Sequence, residues 1–347
     1  MQKLLSFDAS GVQFGWDSTS IKIAQECLYK YKLKMIDGWT PHRRSVHLDF
    51  GGWYASALES FHKYRADGQS HEDALIEVVH EALIESWVYP ACDTCGGTGK
   101  VQDETCPDCG GNGQATSGGH PWESDHAAKT RPNLIRTIIW YIDQFRDDPC
   151  ETVILADGKP AVEHSFRLEA DNDVILSGHL DRLVLYGDKP YIQDQKTTGT
   201  TITPRYFEQW SPETQMSLYT FAGKAIFGVP VKGVIIDAAQ IAVGFSRFER
   251  GFTFRDDPQL DEWYDHAMMH IQSARTATRE NHFPMNPASC NNYGGCQFRN
   301  RSSARSRRLS AIASSKATLH GASAGTPSSH DRSFANVYRS QIRKSTP

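Results

Sequence analysis

The stretch that most constrains the fold is residues 173–198, DVILSGHLDRLVLYGDKPYIQDQKTT. Its two halves are rich in β-branched and apolar residues, and the Gly187–Pro190 segment between them is typical of a turn. We therefore predict an antiparallel hairpin with strands at residues 174–186 and 191–197, in which Tyr186 pairs with Tyr191.

Three ionisable residues of this hairpin are predicted to share one face. In that register Asp181 lies opposite Lys196, and Asp194 points the same way as Lys196 because strand side chains alternate. Two carboxylates can hold a hard divalent cation while an adjacent ammonium orients or helps to deprotonate a water, which favours phosphodiester hydrolysis. The alternative is a solvated face whose ion pairs contribute about 0–1 kcal/mol.

A helix is expected to follow the hairpin. Ser211, Pro212 and Glu213 would supply an N-cap, a first-turn proline and a first-turn acid. Gln215 and Tyr219 would then be i, i+4 neighbours on one helix face. The alternative is that Tyr219 is a core residue and Gln215 a surface residue.

Three motifs occur in a fixed order: Gly178-His-Leu-Asp181, Asp194-Gln-Lys-Thr197 and Gln215-Met-Ser-Leu-Tyr219. This order resembles the RecB-like branch of the PD-(D/E)xK nuclease superfamily, with its G-x-x-D, D/E-x-K-T and Q-x-x-x-Y elements. The resemblance implies an α/β, restriction-endonuclease-like core, a mixed sheet flanked by helices, with a helical N-terminal region. It also implies a metal-dependent deoxyribonuclease, an exonuclease acting on DNA ends or single strands in recombination, repair or phage DNA processing.

The resemblance assigns roles to individual residues. Asp181 and Asp194 would ligate Mg²⁺ or Mn²⁺, the Gln195 carbonyl would add a ligand, and Lys196 would serve the attacking water. Gln215 and Tyr219 would contact the substrate strand or support the metal site.

One departure from the family concerns an early helix that often carries a metal-ligating histidine. Residues 50–59, FGGWYASALE, match that segment at both ends but have Ala55 at the histidine position. His62 is the nearest substitute, although we expect it to face solvent beside Lys63. A second candidate function is therefore a DNA-binding or assembly protein that keeps the fold with weakened catalysis.

Two other polar side chains lie near the motifs in sequence. Glu163 precedes the hairpin and is expected to be a surface acid on a strand, the alternative being an approach to the metal. His179 is expected to be a hydrogen-bonded structural histidine, the alternative being substrate positioning.

Four of the eight cysteines have the spacing of a zinc site. Cys92, Cys95, Cys106 and Cys109 form C-x₂-C-x₁₀-C-x₂-C, which predicts tetrahedral Zn²⁺ coordination. The repeats CDTCGGTG and CPDCGGNG resemble those of DnaJ-type chaperones. The zinc would stabilise a small insertion, contact DNA or a partner, or both; a chaperone-like zinc protein is a third candidate class.

Cys27, Cys290 and Cys296 resemble part of the cysteine set that holds a [4Fe–4S] cluster in the iron–sulfur subgroup of RecB-like nucleases. That pattern expects a further cysteine soon after Cys296, and the chain has none there. The alternative is three buried thiols in the core. Cys150 lies outside the pattern and is expected to be a free thiol.

We predict a nuclease domain at residues 1–300, a zinc knuckle inserted at residues 90–115, and a basic disordered tail at residues 301–347. The tail has nine Lys or Arg and one Asp, a charge of +8, which leaves −12 for residues 1–300 because the total is −4. Neither a membrane span nor a signal peptide is expected, which favours an intracellular, cytoplasmic protein. No sequence motif indicates a particular protein partner.

The remaining pattern predicts helices from about Ser18 to Lys32, from Phe50, from a Ser70 cap, from Asn133 to Phe145 and from Asp257 to Glu280. Strands are predicted at residues 231–243 and 245–254.

Overall fold

The computed structural model describes residues 6–40 and 45–299. Within them the chain forms two compact units. The first takes in Ser6, Phe14–Ser18 and the described part of Thr40–Met268, and the second takes in Phe7–Gln13, Thr19–Trp39 and the described residues from Met269 onward. The predicted basic tail lies outside the described residues, and the predicted knuckle lies within the first unit.

The described helices are α1 (Ser18–Glu26), α2 (Leu28–Tyr31), α3 (Val46–Ala66), α4 (His71–Glu85), α5 (Arg131–Gln144), α6 (Pro204–Glu208), α7 (Thr214–Phe227) and α8 (Asp257–Arg279). A π-helical turn, Lys32–Ile36, follows α2, and 3₁₀ turns occupy Asp171–Asp173 and Pro287–Gly294. None of the helices in these described ranges is long and apolar enough to cross a membrane.

The described strands are β1 (Gly15–Trp16), β2 (Trp87–Val88), β3 (Lys100–Val101), β4 (Glu104–Thr105), β5 (His120–Pro121), β6 (Cys150–Thr152), β7 (Val162–Ala170), β8 (Val174–Tyr186), β9 (Lys189–Thr198), β10 (Gly233–Ile241) and β11 (Ser246–Phe254). Seven of them form the main sheet, in the order β1-β8-β9-β10-β11 with β6 and β7 also paired to β8. β9 and β10 are parallel because α6 and α7 cross between them, whereas β8–β9 and β10–β11 are antiparallel.

This mixed sheet flanked by helices confirms the predicted α/β fold class. On the helical side, α3, α4 and α5 pack together and bury an apolar cluster that includes Phe50, Leu58, Val78 and Ile138. Ser70 caps α4 as predicted, accepting a hydrogen bond from the Asp73 N–H. These helices lie against the β10–β11 hairpin through Ala239, Ile241 and Phe248.

The hairpin register differs from the prediction by two residues. Tyr186 pairs with Lys189 and Val184 pairs with Tyr191, so the loop is only Gly187 and Asp188. Both loop residues have positive φ, 54° and 62°, the backbone of a two-residue type I′ turn. Pro190 is therefore a strand residue, and the predicted four-residue turn was wrong.

Two helix starts were also wrong. The third helix begins at Val46 with Ser45 as its N-cap, four residues before the predicted Phe50, so part of the expected extended segment is helical. The N-cap of α7 is Glu213, whose carboxylate accepts hydrogen bonds from the N–H groups of Gln215 and Met216. The predicted cap, Ser211, precedes a cis peptide bond to Pro212.

The second unit joins the two predicted cysteine-bearing segments. Asn286 donates hydrogen bonds from its backbone to Cys27 Sγ (3.3 Å) and from its side chain to the Glu26 carbonyl (2.9 Å). Tyr31 is fully buried and donates from its hydroxyl to Gln13 Oε1 at 2.9 Å. The early helices are thus tied to the segment after α8.

Candidate active site

Three carboxylates lie in one row across the middle of the main sheet. The pair Arg182–Gln193 sets the β8–β9 register, which puts Asp181 opposite Asp194. On the other side of β8, the flanking pairs of β7 put Glu163 opposite Asp181. Glu163 has a positive φ of 49° and departs from regular strand geometry, but it interacts electrostatically with both Asp181 and Asp194, so the three carboxylates form one cluster.

The two-residue change of register preserves this convergence. Side chains repeat every two residues along a strand, so an even shift leaves each one on its predicted face. Asp181, Asp194 and Lys196 therefore share a face as predicted, but Asp181 lies opposite Asp194 rather than Lys196. The backbone N–H of Gln195 donates to Asp181 Oδ2 at 2.9 Å and fixes that carboxylate.

Asp194 is the most deeply buried of the acids, with 1% of its surface exposed. Lys196 Nζ forms an ion pair with Asp194 Oδ2. Oδ1 of Asp194 is also buried and accepts no hydrogen bond from the described residues. An uncompensated carboxylate oxygen is costly inside a protein, so this atom needs a further partner.

The pKa values of Asp194 and Asp181 reflect their surroundings. Burial raises the pKa of Asp194 to about 7, against the opposing influence of Lys196. Burial likewise raises the pKa of Asp181 to about 6, although Lys196 and the Gln195 N–H lower it. The pKa of Lys196 is raised because Asp194 and Asp181 outweigh the effect of its burial, so its ammonium is the stable form at neutral pH.

Glu163 is part of this cluster and is not the surface acid that the sequence favoured. It is half-buried, and burial together with Glu59 and Asp194 raises its pKa to about 7 despite Lys63 nearby. Glu59 also raises the pKa of Asp181 and forms an ion pair with Lys63. The match at Leu58-Glu59 was the only sequence signal for Glu59, and it carried no assigned role.

Gln215 and Tyr219 lie on one face of α7, as the helix spacing predicted. Gln215 Nε2 donates to the Tyr219 hydroxyl at 2.9 Å. Burial raises the pKa of Tyr219, and the charges of Asp194 and Asp181 raise it further. The hydroxyl is therefore neutral and accepts a hydrogen bond from Gln215.

His62 does not face solvent. It is 7% exposed, and its Nε2 lies 3.1 Å from Nη1 of Arg182, whose side chain points to the sheet face opposite Asp181. Burial, followed by the charges of Arg182 and Arg250, lowers the pKa of His62 well below its ordinary value. The neutral ring belongs to a buried polar network. It does not replace the metal-ligating histidine of the family, whose position is occupied by Ala55 in this chain.

His179 forms a hydrogen bond between Nδ1 and the Ser165 hydroxyl at 2.9 Å. These two residues face each other across β7 and β8. This contact agrees with the structural interpretation of the histidine, although the ring itself is exposed.

The carboxylates of Asp181, Asp194 and Glu163 are suitable ligands for a divalent cation. Hard cations prefer carboxylate oxygens, and this cluster combines mutually repelling acids with a buried, unpartnered oxygen of Asp194. The like charges that raise the pKa values of the row would be offset by a bound cation. Asp181 and Asp194 are the residues that could hold it, with Glu163 beside them.

The four predicted zinc cysteines are brought together. Their sulfur atoms all lie within 4.8 Å of one another, and all four residues are buried. Cys92 Sγ and Cys106 Sγ are 3.9 Å apart, and Cys95 Sγ and Cys109 Sγ are 3.7 Å apart. Within the described ranges, no other group of three or more Cys, His, Asp or Glu ligand atoms is this close.

The two glycine-rich repeats explain how the cluster closes. Gly99 N–H donates to Cys95 Sγ and Gly113 N–H donates to Cys109 Sγ, each at 3.3 Å. Both glycines have positive φ, and a Cβ on either would lie within 2.4 Å of a carbonyl oxygen in the other repeat. Although burial opposes it, hydrogen bonding lowers the pKa of Cys95 to about 7, which favours the thiolate that a metal binds.

Cys27, Cys290 and Cys296 line a common cavity of about 40 Å³ within the second unit. The described residues provide no fourth cysteine there, so they do not fit a [4Fe–4S] cluster held by four thiolates. The iron–sulfur assignment stays a prediction. Cys150 is a buried free thiol in β6.

Comparison with known proteins identifies the family of the chain. A search of curated proteins finds no match to the chain. Among solved structures, a candidate exonuclease from Eubacterium rectale has 11% identity and a TM-score of 0.43, over 91% of each chain. The PD-(D/E)XK nuclease superfamily matches residues 18–301, which is most of the chain. The chain therefore belongs to the PD-(D/E)XK nuclease superfamily.

Proposed function

We propose that this nuclease is a RecB-like, Mg²⁺- or Mn²⁺-dependent deoxyribonuclease that removes nucleotides from DNA ends or single strands. The observation that carries the proposal is the ion pair between Lys196 and the buried Asp194, set beside Asp181 on the same sheet face. Roles in recombination, repair or phage DNA processing, and an intracellular location, are part of the same proposal.

The acids provide the cation site. Asp181 and Asp194 would hold the ion, and Glu163 would add negative charge beside them. The Gln195 carbonyl is proposed as a further oxygen ligand. When bound, such an ion polarises the phosphate and makes an attacking water more acidic.

Lys196 would act as a hydrogen-bond donor in its ammonium form. Because the surrounding acids raise its pKa, its ammonium would orient the attacking water and stabilise negative charge on the phosphate rather than take up a proton. Tyr219 would donate its hydroxyl proton to a phosphate oxygen while Gln215 holds the hydroxyl in place.

The test uses a labelled linear DNA with a single-stranded overhang and a covalently closed circle of the same sequence. Degradation of the linear DNA is expected with Mg²⁺ or Mn²⁺ and not with EDTA, and the circle should survive. Asp181→Asn and Lys196→Met should abolish activity. Asp188→Asn and Lys189→Met, matched changes at the exposed tip of the same hairpin, should leave it unchanged.

Each outcome bears on a separate part of the proposal. Activity retained in both Asp181→Asn and Lys196→Met would refute the catalytic assignment. Cleavage of the closed circle would refute the exonuclease assignment alone, and equal cleavage of a matched RNA would refute the restriction to DNA.

A catalytically weakened DNA-binding protein is the second candidate, because Ala55 replaces the expected histidine and the neutral His62 is engaged with Arg182. This candidate predicts metal-independent DNA binding with no hydrolysis by the wild-type chain. Restoring the ligand with Ala55→His would then be expected to create activity.

We also propose that Cys92, Cys95, Cys106 and Cys109 hold one Zn²⁺ in a knuckle spanning residues 90–115. Metal analysis of anaerobically purified protein should count one zinc per chain. The same sample tests the iron–sulfur prediction, since iron with visible absorption would support it and the absence of both would refute it.

A further inference from the structure

An aromatic segment stands beside the catalytic lysine. It consists of Tyr206, Phe207 and Trp210, on α6 and the turn that follows it. The Trp210 ring centroid is 5.5 Å from Lys196 Nζ, a cation–π distance. Tyr206 lies beside Trp210, with the two ring centroids 6.4 Å apart. The aromatic segment therefore borders the site where the phosphate would be attacked.

Trp210 is poorly explained by core packing. It is only half-buried, and its Nε1 is enclosed without a hydrogen-bond partner among the described residues. A buried indole N–H normally finds an acceptor, and a phenylalanine would fill much of the same space without that cost. The position therefore suits an aromatic surface that is used by a ligand.

Buried contacts hold Trp210 in place. Its carbonyl oxygen accepts from Arg255 Nη2 at 2.8 Å and from the Thr253 hydroxyl at 3.2 Å. Arg255 is 5% exposed, and its Nε donates to the Ser217 hydroxyl on α7 at 3.0 Å. Ser217 lies between Gln215 and Tyr219, so one arginine links the aromatic segment to the helix that carries both proposed substrate contacts.

We propose that Trp210 stacks on an unpaired nucleobase next to the phosphate that is cut, and that Arg255 is the residue that positions Trp210. This inference rests on the proposed nuclease function and deepens it by naming the substrate class as single-stranded DNA. A base in a duplex is already stacked and paired, whereas an unpaired base can turn onto an aromatic ring. Stacking of this kind tolerates any base, because every base has a π face.

The experiment measures binding without hydrolysis. Fluorescence anisotropy in EDTA would follow a labelled oligothymidylate and a set of the same oligonucleotides, each with one abasic position. For the wild-type protein, one abasic position should weaken binding by about tenfold. Trp210→Ala should weaken binding of the intact strand by a similar factor and remove the abasic effect, whereas Trp210→Phe should largely retain both.

Controls separate this proposal from folding and from the nuclease assignment. Trp140→Ala, at a partly exposed tryptophan on α5, should leave binding and the abasic effect unchanged. Arg255→Met should raise KM more than it lowers kcat, with partial rescue by Arg255→Lys. An undiminished abasic effect in Trp210→Ala would overturn the stacking proposal, while loss of hydrolysis in Asp181→Asn would still stand by itself as support for the nuclease.

Discussion

Replacement of Arg250 by methionine should strongly destabilise the protein. Arg250 lies on β11 and forms a bidentate pair with Asp148, with Nη1–Oδ1 at 2.5 Å and Nη2–Oδ2 at 3.0 Å. It also donates to Asp237 Oδ2 and to the Tyr141 hydroxyl, both at 3.1 Å. Its guanidinium stacks 3.8 Å from the Phe145 ring centroid.

The expected loss in free energy of unfolding depends on the buried acids that pair with Arg250. Asp237 is 2% exposed, and burial raises its pKa even with Arg250 present. Removing one partner of a buried ion pair costs about 3–5 kcal/mol, because the other charge stays buried. Tyr141 and Gln193 still donate to Asp237 Oδ2, and Arg182 still pairs with Asp148, which places the cost in the lower part of that range. Methionine preserves much of the apolar packing of the arginine stem, so we expect the free energy of unfolding to fall by about 3–4 kcal/mol.

The control is Arg247→Met on the same strand. Arg247 is 51% exposed and pairs with Glu249 at the surface, so its loss should change the free energy of unfolding by about 0–1 kcal/mol. Urea titrations of both variants at fixed zinc concentration, followed by tryptophan fluorescence, provide the comparison. Equal unfolding midpoints for the two variants would refute this reasoning.

The pH dependence gives an independent check. In Arg250→Met the folded-state pKa of Asp237 should lie further above its unfolded value, so protonation relieves the penalty as the pH falls. The stability difference between wild type and variant should therefore be larger at pH 7 than at pH 5. A difference that grows on acidification would contradict the account.

Three further predictions concern Lys129, Cys106 and Glu163. Burial lowers the pKa of Lys129 to about 8, and within the described ranges Nζ has no hydrogen-bond partner and only the Phe50 ring, 4.4 Å away, as a cation–π contact, so Lys129→Met should stabilise the protein by about 2 kcal/mol at pH 7 in urea titrations. That gain should shrink between pH 8 and pH 10, where the folded lysine has lost its proton and the unfolded one has not; a constant gain would refute it. Cys106→Ser should lose the zinc found by metal analysis and unfold at lower urea, whereas Cys150→Ser should keep the zinc. Glu163→Gln should raise the Mg²⁺ concentration for half-maximal hydrolysis by about tenfold, and Glu169→Gln, exposed on the same strand, should not.

The parts of the site that could be predicted from the sequence are local. Strand alternation and the i, i+4 spacing of α7 depend only on backbone geometry, so the shared faces of Asp194 with Lys196 and of Gln215 with Tyr219 followed directly. The register error arose from Pro190, which we assigned to the turn. Glycine and aspartate at positive φ make a two-residue loop sufficient, and the proline then begins the ladder of β9.

The remaining features depend on contacts between distant segments. Glu163 joins the site because β7 pairs beside β8, and Glu59 joins it because α3 packs on the sheet. His62 is buried because Arg182 reaches it from a strand 120 residues later in the chain. No periodicity within either segment encodes such pairings, and Trp210 likewise had no local signal.

The four-cysteine cluster shows the opposite case. Its four thiols and the two glycines that close it lie within about 25 residues, and the turn geometry follows from the repeated C-x-x-C-x-G-x-G pattern. The sequence therefore contained almost the whole site. Cys27, Cys290 and Cys296 could be predicted less well from the sequence, because only contacts between distant segments bring them together.

The most direct test of the central claim is the rate of Mg²⁺-dependent release of nucleotides from labelled linear DNA by wild-type protein and by Asp194→Asn. The wild-type protein should degrade the DNA with Mg²⁺ and stop with EDTA. Asp194→Asn should be slower by about 10³-fold while binding the DNA and remaining folded. A wild-type rate for Asp194→Asn would contradict the assignment of the Asp181, Asp194 and Lys196 cluster as the catalytic site.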